Sequence, residues 1–132
     1  MSATNTFDFI IVGAGSAGCV LANHLSADRR FTVLLIEAGK MSHPLTPVPI
    51  SFSRLIDNPK VNWCYGSEPE PVMAQRSIPV PRGRMLGGSS AINGLVYVRG
   101  QPLDYNNWAQ LGNRGWSFDD VLPIFQLSLI HI

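Results

Sequence analysis

The spacing of apolar residues changes twice in the first forty positions. Residues 7 to 12, Phe-Asp-Phe-Ile-Ile-Val, form a short apolar run ending in glycine, the pattern of a strand buried on both faces of a parallel sheet. From Ala17 the apolar positions Ala17, Val20, Leu21 and Leu25 recur at three and four, with Asn23, Ser26 and Asp28 between them, which predicts an amphipathic helix of about three turns. Residues 32 to 36, Thr-Val-Leu-Leu-Ile, make a second β-branched run closed by Glu37-Ala38-Gly39. Strand, helix and strand within about 30 residues predict one βαβ unit with parallel strands. From Lys40 to Arg82 eight prolines punctuate the chain, so loops and short strands are expected, laid over a partner surface or a ligand. Leu95 to Arg99 reads as a short strand, and Pro102 to Leu111 as a helix with proline in its first turn. Ser117 with Asp120 resembles a capping box and predicts a last helix that Pro123 bends. Leu127 to Ile132 form an apolar end, expected to stand apart from a domain covering residues 1–126.

The first turn carries the chemistry. Gly13-Ala14-Gly15-Ser16-Ala17-Gly18 follows a predicted strand and opens a predicted helix, the context that makes G-x-G-x-x-G a dinucleotide fingerprint. Gly13 allows the tight turn, Gly15 lets the backbone approach a pyrophosphate, and Gly18 lets helix pack close on strand. The N–H groups of Gly15, Ser16 and Ala17 then face the phosphates with the helix dipole behind them. Glu37 lies 19 residues after Gly18 at the end of the second strand, where a carboxylate accepts from adenosine ribose hydroxyls, and Ala38 follows it. The motif alone leaves NAD and FAD open, because both carry ADP.

Composition narrows the classes. Charged residues make up 14% of the 132, against a usual ~25%, beside twelve glycines and ten prolines. A chain short of charge and rich in turn-formers predicts surface covered by further protein. Its net charge of +1, with basic residues scattered, offers no stripe for a phosphate backbone, so nucleic acid is not an expected partner. No apolar run approaches the ~18 residues of a membrane span, and no export signal is visible near Met1. Cys19 and Cys64, 45 positions apart and without metal-ligand spacing, read as reduced thiols, which predicts a cytoplasmic setting.

A second cluster begins at Gly83: Gly-Arg-Met-Leu-Gly-Gly-Ser-Ser-Ala-Ile-Asn-Gly-Leu-Val-Tyr-Val-Arg-Gly. With the N-terminal fingerprint, Asn62-Trp63 and Glu68-Pro69-Glu70-Pro71, it closely resembles the glucose-methanol-choline family of FAD oxidoreductases, most of all its bacterial choline and alcohol dehydrogenase branch. The resemblance covers residues 7 to about 126 and implies a Rossmann-type α/β FAD-binding unit, incomplete here, with FAD rather than NAD as cofactor. It implies that Met85, Gly88 and Ser89 line the FAD, and that Asn93, Gly94, Leu95 and Val96 pass the isoalloxazine or pyrophosphate. Some relatives attach FAD through a histidine just before the signature asparagine. Ile92 stands there, so FAD is expected to be non-covalent.

By the same likeness the activity is oxidation of an alcohol CH–OH group, choline or another primary alcohol, with hydride passing to the flavin and electrons to a separate acceptor. The family's proton-abstracting histidine lies near the end of a much longer chain. His24, His43 and His131 match no such motif, so no catalytic residue is expected here. Two further readings stay open: a non-catalytic fragment that holds FAD weakly or not at all, and an NAD enzyme, which leaves the second cluster unexplained. Arg82 and Arg84 either neutralise pyrophosphate or sit on solvated faces, while Trp63, Tyr65, Trp108 and Trp116 read by default as packing.

Overall fold

The computed structural model describes residues 6–130. The chain falls into two compact units divided between Val96 and Tyr97.

In the first unit, β1 (Phe9–Val12) runs into α1 (Ser16–Ala27) and then β2 (Val33–Ile36). The strands pair in parallel, Phe9 opposite Val33 and Val12 opposite Ile36, so the predicted βαβ unit is present with slightly shorter strands. The helix meets them through a different stripe than its apolar pattern predicts. Gly18, Cys19, Ala22 and Leu25 are half-buried, whereas Val20 and Leu21 are 56% and 52% exposed. Small residues win that face because the approach is close: a Cβ on Gly18 would stand 1.9 Å from the Gly13 carbonyl oxygen and 3.4 Å from Ile11. Nor is the sheet buried on both faces. One helix covers one layer, and on the other face Ile10 and Val12 remain 60% and 83% exposed.

A polar latch closes the start of the sheet. The Asp8 carboxylate accepts from the Thr32 N–H and hydroxyl, both at 2.7 Å, while the Asp8 N–H donates to the Thr32 carbonyl at 3.0 Å. The Thr32 N–H, and next its hydroxyl, hold the Asp8 carboxyl below its ordinary value of 3.8. A lowered folded pKa contributes stability above the unfolded value that is lost as pH falls through the folded one. Thermal melts between about pH 6 and 3 should therefore decline more steeply for the wild-type chain than for Asp8→Asn.

The proline-rich stretch is better organised than its composition suggests. After a 3-10 turn (Pro49–Ser51) and α2 (Phe52–Leu55), it forms the antiparallel pair β3 (Tyr65–Gly66) and β4 (Pro79–Val80). Leu55 and Val61, with Met85 and Ile92 from the second glycine cluster, make the buried apolar cluster, each 2% exposed or less. Asn62, 3% exposed, ties the stretch together. Its amide nitrogen donates to the Ile56 carbonyl, and its oxygen accepts from Cys64 and Arg82 N–H, each at 2.9 Å.

Residues 95–99 form no strand, contrary to the pattern. Leu95 adopts a left-handed φ of 60°, and no described segment pairs with this run, whose Val96 and Val98 are each 82% exposed. In the second unit α3 (Pro102–Gln110) starts on Pro102, and the Asp104 carboxylate accepts from the Gln101 N–H at 2.9 Å. The capping box before α4 (Phe118–Ile130) is present: Ser117 N–H donates to Asp120 at 3.1 Å, and Asp120 N–H donates to the Ser117 hydroxyl at 3.3 Å. The helix continues past Pro123 to Ile130. Tyr105 is the buried centre of this unit, against Trp108, Phe118 and Phe125.

Candidate cofactor site

The site grows from the turn after β1. Gly13 takes a φ of 97°, and its N–H donates to the Ile36 carbonyl at 2.7 Å, so the chain turns across the carboxyl ends of both strands. In open α/β sheets that edge is where ligands bind. The first closed turn of α1 is the Cys19 N–H on the Gly15 carbonyl at 2.9 Å. The N–H groups of Ser16, Ala17 and Gly18 are thus left as the free donors of a helix start, favourable to an anion.

Glu37 holds this turn in place. One carboxylate oxygen accepts from Ala14 N–H at 2.8 Å and the other from Gly39 N–H at 2.9 Å, which joins the turns after β1 and β2. The carboxylate expected to serve a ribose is therefore also a clamp on the glycine loop. Glutamine would present an NH2 to one of those two donors and orphan it, so Glu37→Gln should cost about 1–3 kcal/mol in urea melts even without ligand. Faster amide exchange at Ala14 or Gly39 would locate the loss.

The two joined turns receive the second glycine cluster. Gly87 N–H donates to the Ala14 carbonyl at 2.7 Å and Leu86 N–H to the Lys40 carbonyl at 2.9 Å. Gly88 meets Gly15 backbone to backbone. A third segment closes the side: Trp63 N–H bonds the Arg82 carbonyl at 2.9 Å, and Arg84 N–H bonds the Val61 carbonyl at 2.7 Å. These pieces enclose a cleft of about 450 Å3.

Of the expected residues, Gly13, Gly15, Glu37, Ala38, Gly88 and Ser89 line this one cleft. Ser16 and Ala17 stand exposed in the first turn of α1, and Gly18 faces the sheet. Met85 does not reach the cleft, since its side chain is 2% exposed in the apolar cluster with Leu55 and Val61. Nor do Asn93 to Val96. The Asn93 side chain accepts from Leu95 N–H at 3.0 Å, and both residues border a separate cavity of about 60 Å3 beside Phe52. Gly94 lies near the Phe52 ring, and Val96 is turned outward.

Three further cleft residues were left open by the sequence, Trp63 and Tyr65 reading by default as packing and Arg82 as either a pyrophosphate partner or a solvated side chain. Trp63 and Tyr65 stack with ring centres 5.9 Å apart and planes 5° apart, and Arg82 stands beside them. The signal was their place between the two glycine clusters, but an aromatic pair at i and i+2 reads equally as packing. Trp108 and Trp116 meet edge to face at 5.8 Å in the second unit. His24 lies exposed on α1, and the His43 ring accepts from Leu45 N–H at 3.2 Å. His131 lies outside the described residues. Among the described residues, no group of three His, Cys, Asp or Glu could hold a metal ion, and no helix is long and apolar enough to cross a membrane.

A family model described as GMC oxidoreductase matches residues 7–130. The oxygen-dependent choline dehydrogenase of Photobacterium profundum is 48% identical over 129 residues, 96% of this chain and 23% of that protein. The crystal structure of pyridoxine 4-oxidase from Mesorbium loti superposes with a TM-score of 0.84 at 40% identity, over 92% of this chain and 24% of that one. An FAD-dependent oxidoreductase from Chaetomium thermophilum superposes at 0.75 with 35% identity, over 91% and 20%. The chain thus spans under a quarter of the length of these relatives.

Proposed function

The chain belongs to the GMC oxidoreductase family, and on that footing we propose that its cleft holds the ADP half of a non-covalently bound FAD in an enzyme that oxidises an alcohol. The observation that carries this reading is the meeting of the two glycine clusters at Gly15 and Gly88, beside the free N–H groups that open α1. The residues present suit that group. A volume of about 450 Å3 lies within the range of ligand pockets. The donors at the helix start suit a diphosphate, and the stacked aromatics suit a flat ring. NAD would use the first cluster alone and leave the second without a task. When bound, the flavin supplies the acceptor for hydride from the substrate C–H bond. The chain's own part is to seat it, through Gly13, Gly15, Ser16, Ala17 and Glu37 on one side and Gly88 and Ser89 on the other.

Choline or another primary alcohol is the proposed substrate class, with a separate electron acceptor. Both cysteines are unpaired, which supports a reducing, cytoplasmic setting. Ile92, 2% exposed, offers no nucleophile to the flavin. Reconstitution with FAD should give a visible flavin band, and acid precipitation should release all of it into the supernatant. Protein that takes up NAD and no FAD would overturn the reading, and flavin retained in the pellet would overturn non-covalent attachment. A second reading, that this stretch alone holds FAD weakly or not at all, is favoured by the uncovered sheet face at Ile10 and Val12. Monomeric, FAD-loaded material from this chain would count against it.

A further inference from the structure

The two arginines that flank the second glycine cluster are two positions apart in sequence and differently engaged. Arg84 is occupied: its guanidinium donates to the Pro59 carbonyl at 2.7 Å and lies 5.2 Å from the centre of the Trp63 ring. Arg82 is exposed and lines the cleft. Its main chain is fixed on both sides, with the N–H on Asn62 at 2.9 Å and the carbonyl on Trp63 N–H at 2.9 Å. Of its side chain, one nitrogen donates to the adjacent Pro81 carbonyl at 2.7 Å. Among the described residues no carboxylate pairs with it, since the sole ion pair there is Arg30 with Asp28. Glu37, which shares the cleft, has each oxygen engaged by a main-chain N–H. The cleft therefore presents one unpaired cation on a fixed backbone.

We infer that Arg82, and not Arg84, is the cation that pairs with the diphosphate of the ligand, facing it together with the N–H groups that open α1. This rests on the cofactor reading above. A guanidinium carries five donors in a planar fork that matches phosphate oxygens, and such charge-assisted bonds are roughly twice as strong as neutral ones. A diphosphate needs more positive charge than a helix start supplies, which amounts to roughly half a unit. Asn62 then acts as a positioning residue, because it fixes the Arg82 main chain through a buried side chain.

The test is calorimetric titration of the protein with FAD, ADP and adenosine at low and high salt, in wild type, Arg82→Gln, Arg82→Lys and Arg84→Gln. Arg82→Gln should weaken ADP and FAD by about tenfold or more and leave adenosine unchanged. It should also flatten the salt dependence of ADP binding, an effect that a purely structural role would not produce. Arg82→Lys should recover part of the affinity, and Arg84→Gln should weaken ADP by less than Arg82→Gln. Equal loss for ADP and adenosine, or a larger loss in Arg84→Gln, would overturn the assignment while wild-type FAD binding leaves the cofactor reading standing. Should the Arg82 variants not fold, the wild-type comparison decides: ADP affinity falling with salt while adenosine affinity stays level supports the pairing, and equal salt responses overturn it. Wild-type protein that binds neither FAD nor ADP overturns both.

Discussion

Replacing Asn62 with aspartate is expected to cost the fold about 3 kcal/mol or more at neutral pH, although the two side chains are nearly the same shape. Asn62 serves three main-chain groups from a site 3% exposed: it donates to Ile56 and accepts from Cys64 and Arg82. Aspartate keeps both acceptor bonds but turns an unprotonated oxygen towards the Ile56 carbonyl. Two acceptors then face each other, and a charge is buried without a cation. Protonation restores the missing donor, so the folded state of the variant raises the carboxyl's pKa above its unfolded value. A raised folded pKa means that the folded state binds the proton first, so the deficit should be small near pH 4 and grow as pH rises through the folded value. Urea melts across that range check the sign, and a deficit independent of pH would contradict it. Because Asn62 also fixes the Arg82 and Trp63 side of the cleft, ligand affinity should fall alongside stability.

Gly88→Val should be the most damaging change at the junction of the two clusters. Gly88 takes a φ of 56°, a conformation that a β-branched residue strongly disfavours, at about 1–3 kcal/mol. Its Cβ would also stand 2.8 Å from the Gly15 Cα, so the backbones of both clusters would have to part. Overpacking of this kind adds about 1–3 kcal/mol. The expected result is a destabilised protein with flavin content reduced by about tenfold or more. The flavin-to-protein ratio after reconstitution measures it, and unchanged flavin content would show that the two clusters do not form one site.

These residues also mark how far the sequence could be read. The βαβ unit was legible because two apolar runs and a glycine-opened helix impose it locally. The face of α1 was not, because apolar periodicity gives weight to Val20 and Leu21, whereas close approach to Gly13 selects Gly18 and turns the half-buried Cys19 and Ala22 inward in their place. Leu95 to Arg99 has the composition of a strand, but a strand exists only against a partner, and none is present among the described residues. Half of the cleft was legible in the sequence: Gly13, Gly15, Glu37, Ala38, Gly88 and Ser89. Trp63, Tyr65 and Arg82 stayed undecided between packing or solvent and the ligand, because their place in the cleft depends on pairing between residues 61–63 and 82–84, some twenty positions apart. Met85, one residue past the paired stretch, is instead buried in the apolar cluster with Leu55 and Val61.

The proposed function requires the turn after β1 and the second glycine cluster to form one diphosphate site. Amide hydrogen exchange with and without saturating ADP tests it directly. Protection that appears together in residues 13–18 and 82–89, and spares α3 and α4, is the expected result. Protection confined to residues 13–18, with the second cluster unchanged, would contradict it.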